Sequence, residues 1–233
     1  MSITLRPSDE RGQERRSWLH SRHSFSFGSY FDPAHMGFRS LRVINEDIIA
    51  GGGGFATHPH HDMEIVSYVV EGALAHRDST GSEGVIRRGD VQAMSAGTGV
   101  QHSEFNNLAD RQTRFLQIWI LPERKGLPPG YQERSIPELE KRNRLRLLAG
   151  PEQRPDTVTI HQDALIFGCL LEKDRSLRHP LAAGRGAWLQ LIDGALSVNG
   201  TALASGDGAR LEELTEITIA AQADSEFLLF DLA

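Results

Sequence analysis

The sequence has little cysteine, no long apolar run and a deficit of basic residues, and each of these absences excludes a class of protein. Its one cysteine, Cys169, excludes an intrachain disulfide and lies in an apolar run (164–171) that favours a buried thiol over a nucleophile. No apolar run approaches the ~20 residues of a membrane span, and residues 1–18 lack the apolar segment of a secretory leader. The net charge of −6 argues against direct contact with nucleic-acid phosphates. We therefore expect a soluble cytoplasmic protein without a membrane or nucleic-acid partner.

Short β-like segments separated by glycine-rich turns run through the whole chain. Apolar and β-branched runs at 65–70, 113–120 and 164–171 predict strands, and the spacing of Phe25 and Phe27 predicts another. The polar residues 1–18 predict an N-terminal arm. Ser135 and Glu138 form a capping-box pattern that predicts a short helix ending near Asn143. This organisation is typical of an all-β barrel or sandwich.

The second half of the chain repeats a pattern of the first. The segment 71–74 (EGAL) recurs at 193–196 (DGAL), and the pair Gly89-Asp90 recurs as Gly206-Asp207. A match at two points can arise by chance, but the apolar run before each segment supports it. The pattern predicts two tandem β modules, which we place at residues 1–130 and 131–233.

Two pairs of potential metal ligands share one spacing. His58 and His60 are two residues apart, as are His102 and Glu104. Alternate residues of a strand point to the same face, so each pair would present both side chains to one side, whereas His61 would point away. If both segments line one barrel, three imidazoles and a carboxylate converge. The alternative for the pair His58 and His60, taken alone, is a polar strand face in solvent.

The donor set predicts one site per chain for a transition metal. Imidazole and carboxylate suit first-row metals, and four such ligands at an octahedral ion leave two positions for a bidentate substrate or for substrate and dioxygen. The corresponding positions of the second module carry Pro180, Ala182 and Gly186, which cannot supply imidazoles. A metal-free second module is therefore expected.

The remaining acidic and imidazole residues receive weaker assignments. Glu64 lies four residues after His60, ~13 Å along an ideal strand, so Glu104 is preferred as the ligand and Glu64 as a supporting acid. His20 and His23 could line a pocket, but hydrogen-bonded framework histidines are the favoured interpretation. No function is assigned to the other isolated histidines, which are His35, His76, His161 and His179.

Three segments make the chain resemble a known family. They are HSFSFGSYFDP (23–33), HPHHDMEIVSYVVEG (58–72) and MSAGTGVQHSE (94–104), and they resemble the cupin motifs of the pirin family. The resemblance implies an all-β fold of two tandem cupin (double-stranded β-helix, or jelly-roll) barrels with short helical segments. It also implies that His58, His60, His102 and Glu104 hold the metal. Ser95 departs from the general cupin pattern, where a proline is common.

Bacterial pirins resemble quercetin 2,3-dioxygenases, and this implies a metal-dependent dioxygenase that opens the flavonol heterocycle with O2 and releases carbon monoxide. The expected cofactor is one divalent transition metal per chain, iron first, with zinc, nickel, cobalt, manganese and copper open. Glu104 would accept the proton of the 3-hydroxyl, and Phe25, Phe27 and Met63 would line the barrel mouth. The alternative is a non-enzymatic, metal-binding pirin that regulates a protein partner. A metal-dependent isomerase is less favoured, because no separate acid–base pair accompanies the site. We expect a monomer.

Overall fold

The computed structural model describes residues 2–233, which fold almost entirely into antiparallel strands. Contacts divide them into two compact units. The N-terminal unit contains residues 12–136 and 151–162, and the C-terminal unit contains residues 2–11, 137–150 and 163–233. Within this described part of the chain, no helix is long and apolar enough to cross a membrane. Relative to the predicted ranges 1–130 and 131–233, residues 131–136 and 151–162 group with the N-terminal unit, and residues 2–11 group with the C-terminal unit.

The elements are short strands joined by turns, with one brief helix of each type. The first half contains β1 (Ser2–Arg6), a 3-10 helix (Ser8–Glu10), β2 (Gly12–Arg15), β3 (Leu19–His23), β4 (Leu41–Ile49), β5 (Gly54–His60), β6 (Glu64–Glu71), β7 (Ala73–Asp78), β8 (Glu83–Arg87), β9 (Val91–Ser95), β10 (Val100–Asn106) and β11 (Thr113–Ile120). The second half contains β12 (Gly130–Arg134), α1 (Glu138–Lys141), β13 (Arg146–Gly150), β14 (Val158–Thr159), β15 (Ala164–Leu171), β16 (Ser176–Pro180), β17 (Gly186–Asp193), β18 (Ala195–Val198), β19 (Thr201–Ala204), β20 (Gly208–Glu212), β21 (Glu216–Ala221) and β22 (Ser225–Leu232).

Two antiparallel sheets form the N-terminal unit. One contains seven strands in the order β12-β9-β6-β11-β4-β3-β2, and the other contains four in the order β5-β10-β7-β8. The apolar run 65–70, predicted as a strand, is fully buried in β6 at the centre of the larger sheet. Leu74 and Ile86 from the smaller sheet pack with Val69 and Phe115 from the larger one. Side chains from both sheets therefore share one interior.

The C-terminal unit also has two sheets, and its turns repeat those of the N-terminal unit. Its sheets follow the orders β1-β20-β17-β22-β15-β13 and β16-β21-β18-β19. Gly89 and Gly206 have φ values of 81° and 85°, and their amides donate to Val69 and Leu191 at 2.7 and 3.0 Å. The aspartate after each glycine, Asp90 or Asp207, accepts a hydrogen bond at 2.8 Å from the backbone amide three residues before it. The predicted tandem all-β architecture is confirmed.

Three local predictions were wrong. Ser135 does not cap α1, whose N-cap is Pro137 without a side-chain cap, and the helix ends at Lys141. Residues 1–18 are not a free arm, because Ser2–Arg6 pairs with β20 and Gly12–Arg15 pairs with β3. Phe25 and Phe27 do not form a strand. Phe27 instead makes an isolated bridge to Tyr30 in a turn.

Candidate metal centre

The alternation predicted for the two ligand pairs is present in neighbouring strands. In β10, Val100, His102, Glu104 and Asn106 are buried and alternate with more exposed residues. His102 is the register partner of His58 in β5. Pro59 faces outward and can sit in β5 because this strand is at the edge of its sheet.

A bulge in β5 sets the orientation of His58. The register between β5 and β10 shifts after His102, and Glu104 pairs with Phe55. Two exposed residues of β5, Ala56 and Thr57, therefore lie opposite the single residue between His102 and Glu104. The Ala56 carbonyl in this bulge accepts a hydrogen bond from Nδ1–H of His58 at 2.8 Å. The lone pair of a neutral His58 is consequently on Nε2.

Three imidazoles converge beside this bulge. One nitrogen each of His58, His60 and His102 lies within 4.8 Å of the others. Nε2 of His58 and Nε2 of His102 are 3.1 Å apart, and the three ring centroids are separated by 4.6 to 4.8 Å. These side chains could together hold one metal ion.

The buried imidazoles favour their neutral forms. Burial, followed by the neighbouring His58, lowers the pKa of His60 to about 4. Burial, followed by the other imidazoles of the cluster, lowers the pKa of His102 to about 2. Both rings are thus uncharged at neutral pH, which is the state of histidine that binds a metal.

Glu104 lies next to the three imidazoles but belongs to a second, overlapping group. A carboxylate oxygen of Glu104 lies within 4.8 Å of one ring nitrogen each of His102 and His76. It does not form such a group with His58 and His60. Gln117 Nε2 donates to it at 2.6 Å, and Gln92 Nε2 donates at 3.3 Å. Burial raises the pKa of Glu104 to about 7, despite an opposing hydrogen bond from Ser67. The carboxyl group is therefore poised to exchange a proton near neutral pH.

The groups that hold Glu104 belong to a row of inward-facing polar residues across the larger sheet, which we call the polar row. Neighbouring strands place its members in direct register: His23, Asn45, Gln117, Ser67 and Gln92. All five are buried. Sequence reasoning missed this row because it arises from the register of five strands, which the order of residues along the chain does not reveal.

The structure also places the other sequence-selected residues. The His61 side chain is 63% exposed and contacts Asp62 at 3.1 Å, so it points away from the cluster as predicted. Glu64 is buried and accepts a hydrogen bond from Ser95 at 2.8 Å. The donor, Ser95, is the residue that departs from the general cupin pattern. His23 is buried and lines the cavity beside the cluster.

The cavity beside the cluster has a volume of about 60 Å³. Of the three side chains expected at the barrel mouth, only Phe27 lines this cavity. Phe25 is buried elsewhere, and Met63 packs against a core cluster that contains Ile65 and Met94. The other aromatic walls, Phe55 and Trp119, were missed by sequence reasoning. The expectation for Phe25 and Met63 is therefore wrong.

His76, to which the sequence assigned no function, contacts the cluster directly. Its Nδ1 lies 3.4 Å from Nδ1 of His102, and its Nε2 lies 3.1 Å from a carboxylate oxygen of Asp78. Both His76 and Asp78 are buried in β7, the strand that pairs with β10 on the side away from β5. A signal was present in the sequence, because His76 and Asp78 have the same two-residue spacing as the proposed ligands.

The two β units, one with a cluster of imidazoles, define a protein of two cupin barrels. A family model described as Pirin matches residues 4–120, and one described as a quercetinase C-terminal cupin domain matches residues 147–232. The chain belongs to the pirin family.

Relatives of full length support this classification. The chain is 43% identical over 230 residues to quercetin 2,3-dioxygenase of Escherichia coli strain K12, covering 99% of this chain and 98% of the relative. A pirin-like protein of Caulobacter vibrioides is 39% identical over 232 residues, covering 99% of this chain and all of the relative. The crystal structure of bacterial pirin YhhW from Escherichia coli in complex with nickel(II) is 42% identical and superposes with a TM-score of 0.94, covering 99% of both chains.

Proposed function

We propose that the N-terminal unit binds one divalent transition metal through His58, His60, His102 and Glu104. The observation that carries this proposal is the 3.1 Å separation of Nε2 in His58 and His102. Metal–imidazole bonds are ~2.0–2.1 Å long, so two adjacent ligands on one ion have nitrogens about 3 Å apart. The imidazoles of His58 and His102 are therefore spaced as two adjacent ligands of one metal ion would be.

Iron is the proposed ion, and zinc, nickel, cobalt, manganese and copper are the alternatives. A site of three imidazoles and a carboxylate suits several first-row metals. The nickel(II) complex of the YhhW structure makes nickel the first competitor to test. Glu104 would complete the set of ligands, since its carboxylate lies within 4.8 Å of a ring nitrogen of His102.

The proposed reaction is the oxidative opening of a flavonol by O2 with release of carbon monoxide. The quercetin 2,3-dioxygenase name of the Escherichia coli relative supports this choice. A bound metal would act as a Lewis acid that acidifies the flavonol 3-hydroxyl. Glu104 would take that proton, because its carboxylate lies beside the imidazoles that would hold the metal. Gln117 and Gln92 would hold the carboxylate in place during the transfer.

The small cavity limits how a flavonol could bind. Pockets that enclose a drug-sized ligand measure roughly 300–1,000 Å³, whereas this one measures about 60 Å³. Only the edge that carries the 3-hydroxyl and the 4-carbonyl would enter, with Phe27 and Trp119 against the rings. The remainder of the molecule would stay outside the cavity.

The test compares two flavonoids that differ only at the 3-hydroxyl. Protein loaded separately with iron(II) and nickel(II) would be mixed with quercetin or with luteolin, and oxygen uptake and carbon monoxide would be measured. We expect turnover of quercetin and none of luteolin, and the His58→Ala variant should be inactive. Absence of oxygen uptake with quercetin for both metals would overturn the enzymatic proposal.

The second candidate is a non-enzymatic, metal-binding pirin that acts on a protein partner. The small volume of the cavity favours it, because a regulatory metal centre needs no room for an organic substrate. A protein that binds one metal per chain but consumes no oxygen would make this the leading account.

A further inference from the structure

His76 stands between a proposed ligand and a carboxylate without being a proposed ligand itself. The side chains of His76 and Asp78 are 0% and 1% exposed. Strand pairing places both next to β10, because His102 is the register partner of Asp78 and Glu104 that of His76. The pairing of β7 with β10 therefore places His76 and Asp78 beside His102.

The direction of the hydrogen bond between His76 and Asp78 follows from the chemistry of the groups. A carboxylate only accepts, so Nε2 of His76 must carry the hydrogen in its 3.1 Å contact with Asp78. A neutral His76 then has its lone pair on Nδ1. A neutral His102 has one ring hydrogen, which either Nδ1 donates to Nδ1 of His76 across 3.4 Å or Nε2 donates to Nε2 of His58 across 3.1 Å. Only the first form leaves the lone pair of His102 on Nε2, the atom that faces His58.

We propose that Asp78 and His76 form a relay that fixes the Nδ1–H tautomer of His102 and thereby presents its Nε2 lone pair to the metal. The inference rests on the proposed function, since it takes His102 as a ligand. The relay extends the usual arrangement, in which a metal-bound histidine donates its second ring hydrogen to a carboxylate or carbonyl. Here a second imidazole stands between the ligand and the carboxylate.

The surroundings keep both members of the relay in place. One oxygen of Asp78 accepts from the amide and the hydroxyl of Thr80 at 2.8 and 2.6 Å and from the amide of Ser82 at 3.2 Å. The other oxygen is thereby directed at His76. Tyr131 stacks on the His76 ring with centroids 4.5 Å apart and an interplanar angle of 16°. His76 and Asp78 are positioning residues, because neither needs to contact the metal or the substrate.

The first experiment reads the tautomers directly in the metal-free protein. Long-range nitrogen-15 correlation spectra distinguish Nδ1–H from Nε2–H histidines. We expect His102 as the Nδ1–H form and His76 as the Nε2–H form. A spectrum with His102 as the Nε2–H form would overturn the relay, independently of any metal or activity.

The second experiment distinguishes two contributions of the side chain at position 76, which are its hydrogen-bond acceptor and the space that it fills. In His76→Asn the side-chain oxygen can replace Nδ1 as the acceptor for His102, whereas His76→Phe fills the space without an acceptor. We expect nickel(II) affinity to fall 10- to 100-fold in His76→Phe, the range typical of lost partners of metal ligands, and to be largely restored in His76→Asn. His61→Phe is the matched control at an exposed histidine and should bind as the wild type does.

The outcomes distinguish the relay from the metal centre itself. Wild-type affinity in folded His76→Phe would overturn the relay, and equal losses in His76→Phe and His76→Asn would show that packing alone is at work and overturn it as well. If the wild type bound no metal, the proposed metal centre would fail, and the nitrogen-15 spectra would still decide the tautomer of His102. Circular dichroism of each variant establishes that it is folded.

Discussion

The imidazoles of His58 and His102 face each other through Nε2 atoms 3.1 Å apart, across a register pair that joins β5 to β10. His58 donates Nδ1–H to the Ala56 carbonyl, so its Nε2 carries a lone pair. In the proposed Nδ1–H form of His102, both Nε2 atoms offer lone pairs and repel each other. A metal ion bound by both nitrogens, as proposed, would remove this repulsion.

The first prediction concerns which histidines retain the metal. His58→Ala and His102→Ala should each lower the bound metal from one per chain to a small fraction, because each removes an imidazole from the cluster. His61→Ala should retain one metal per chain, because its side chain is 63% exposed and points away. Elemental analysis after dialysis measures the content. Equal loss in His61→Ala would contradict the strand assignment.

The residues that the sequence identified are those whose relation is local. His58 and His60, or His102 and Glu104, are two residues apart in one strand, and the alternation of strand side chains is sufficient to place each pair on one face. The resemblance to the pirin family added that the two pairs meet. The long apolar strands were predictable for the same local reason, since β6 and β15 consist mainly of apolar residues.

The residues that the sequence missed depend on pairing between distant strands. The contact of His76 with His102 arises because β7 pairs with β10, and the polar row arises because five strands align one polar residue each. β1 was missed because Ser2–Arg6 is largely polar and forms a strand only by pairing with β20, about 200 residues later in the chain. The capping-box pattern at Ser135 failed because the helix begins after Pro137 and contains only four residues.

The second prediction concerns the close approach of two backbones at Gly54. A Cβ at this position would lie 2.4 Å from a ring carbon of Phe105 and 2.5 Å from the Glu104 carbonyl oxygen. Because one of these atoms belongs to the backbone of β10, Gly54→Ala should lower the free energy of unfolding by ~1–3 kcal/mol, as overpacking does. Gly130→Ala is the matched control, since nothing lies within 4 Å of its Cβ. Urea denaturation compares them, and similar losses would contradict the steric account.

The third prediction concerns a charged cluster in the C-terminal unit. Asp231 is buried and accepts from Nε2 of His179 at 2.8 Å and from the Arg185 guanidinium. Although burial would raise the pKa of Asp231, hydrogen bonds from His179 and Arg185 lower it overall. This carboxylate therefore contributes stability above the pKa of an unfolded aspartate, and the contribution is lost as the pH falls through the lower pKa of the folded state.

Arg185→Met should reduce thermal stability at pH 7, by roughly 1–3 kcal/mol for a buried hydrogen-bonded charge that loses a partner. The loss should diminish in acid, where Asp231 becomes protonated in both states. Metal content should remain at one per chain, because the proposed ligands lie in the N-terminal unit. A fall in metal content would show that the C-terminal unit contributes to binding.

The last prediction concerns the proton of Glu104 in the metal-free protein. Burial raises the pKa of this carboxyl group from 4.5 to about 7. Between these two values the unfolded chain has released the proton while the folded protein retains it. The free energy of unfolding therefore falls as the pH rises, and the full destabilisation is reached above pH ~7. Glu104→Gln removes this dependence. Its stability relative to the wild type should therefore increase by ~3 kcal/mol between pH 4.5 and pH 8, the equivalent of the pKa shift. Urea denaturation of both proteins in a chelating buffer at pH 4.5, 6 and 8 measures the difference. A difference independent of pH would mean that Glu104 is ionised throughout this range, and the carboxylate could then serve as a metal ligand but would be too weak a base for the proton transfer proposed here.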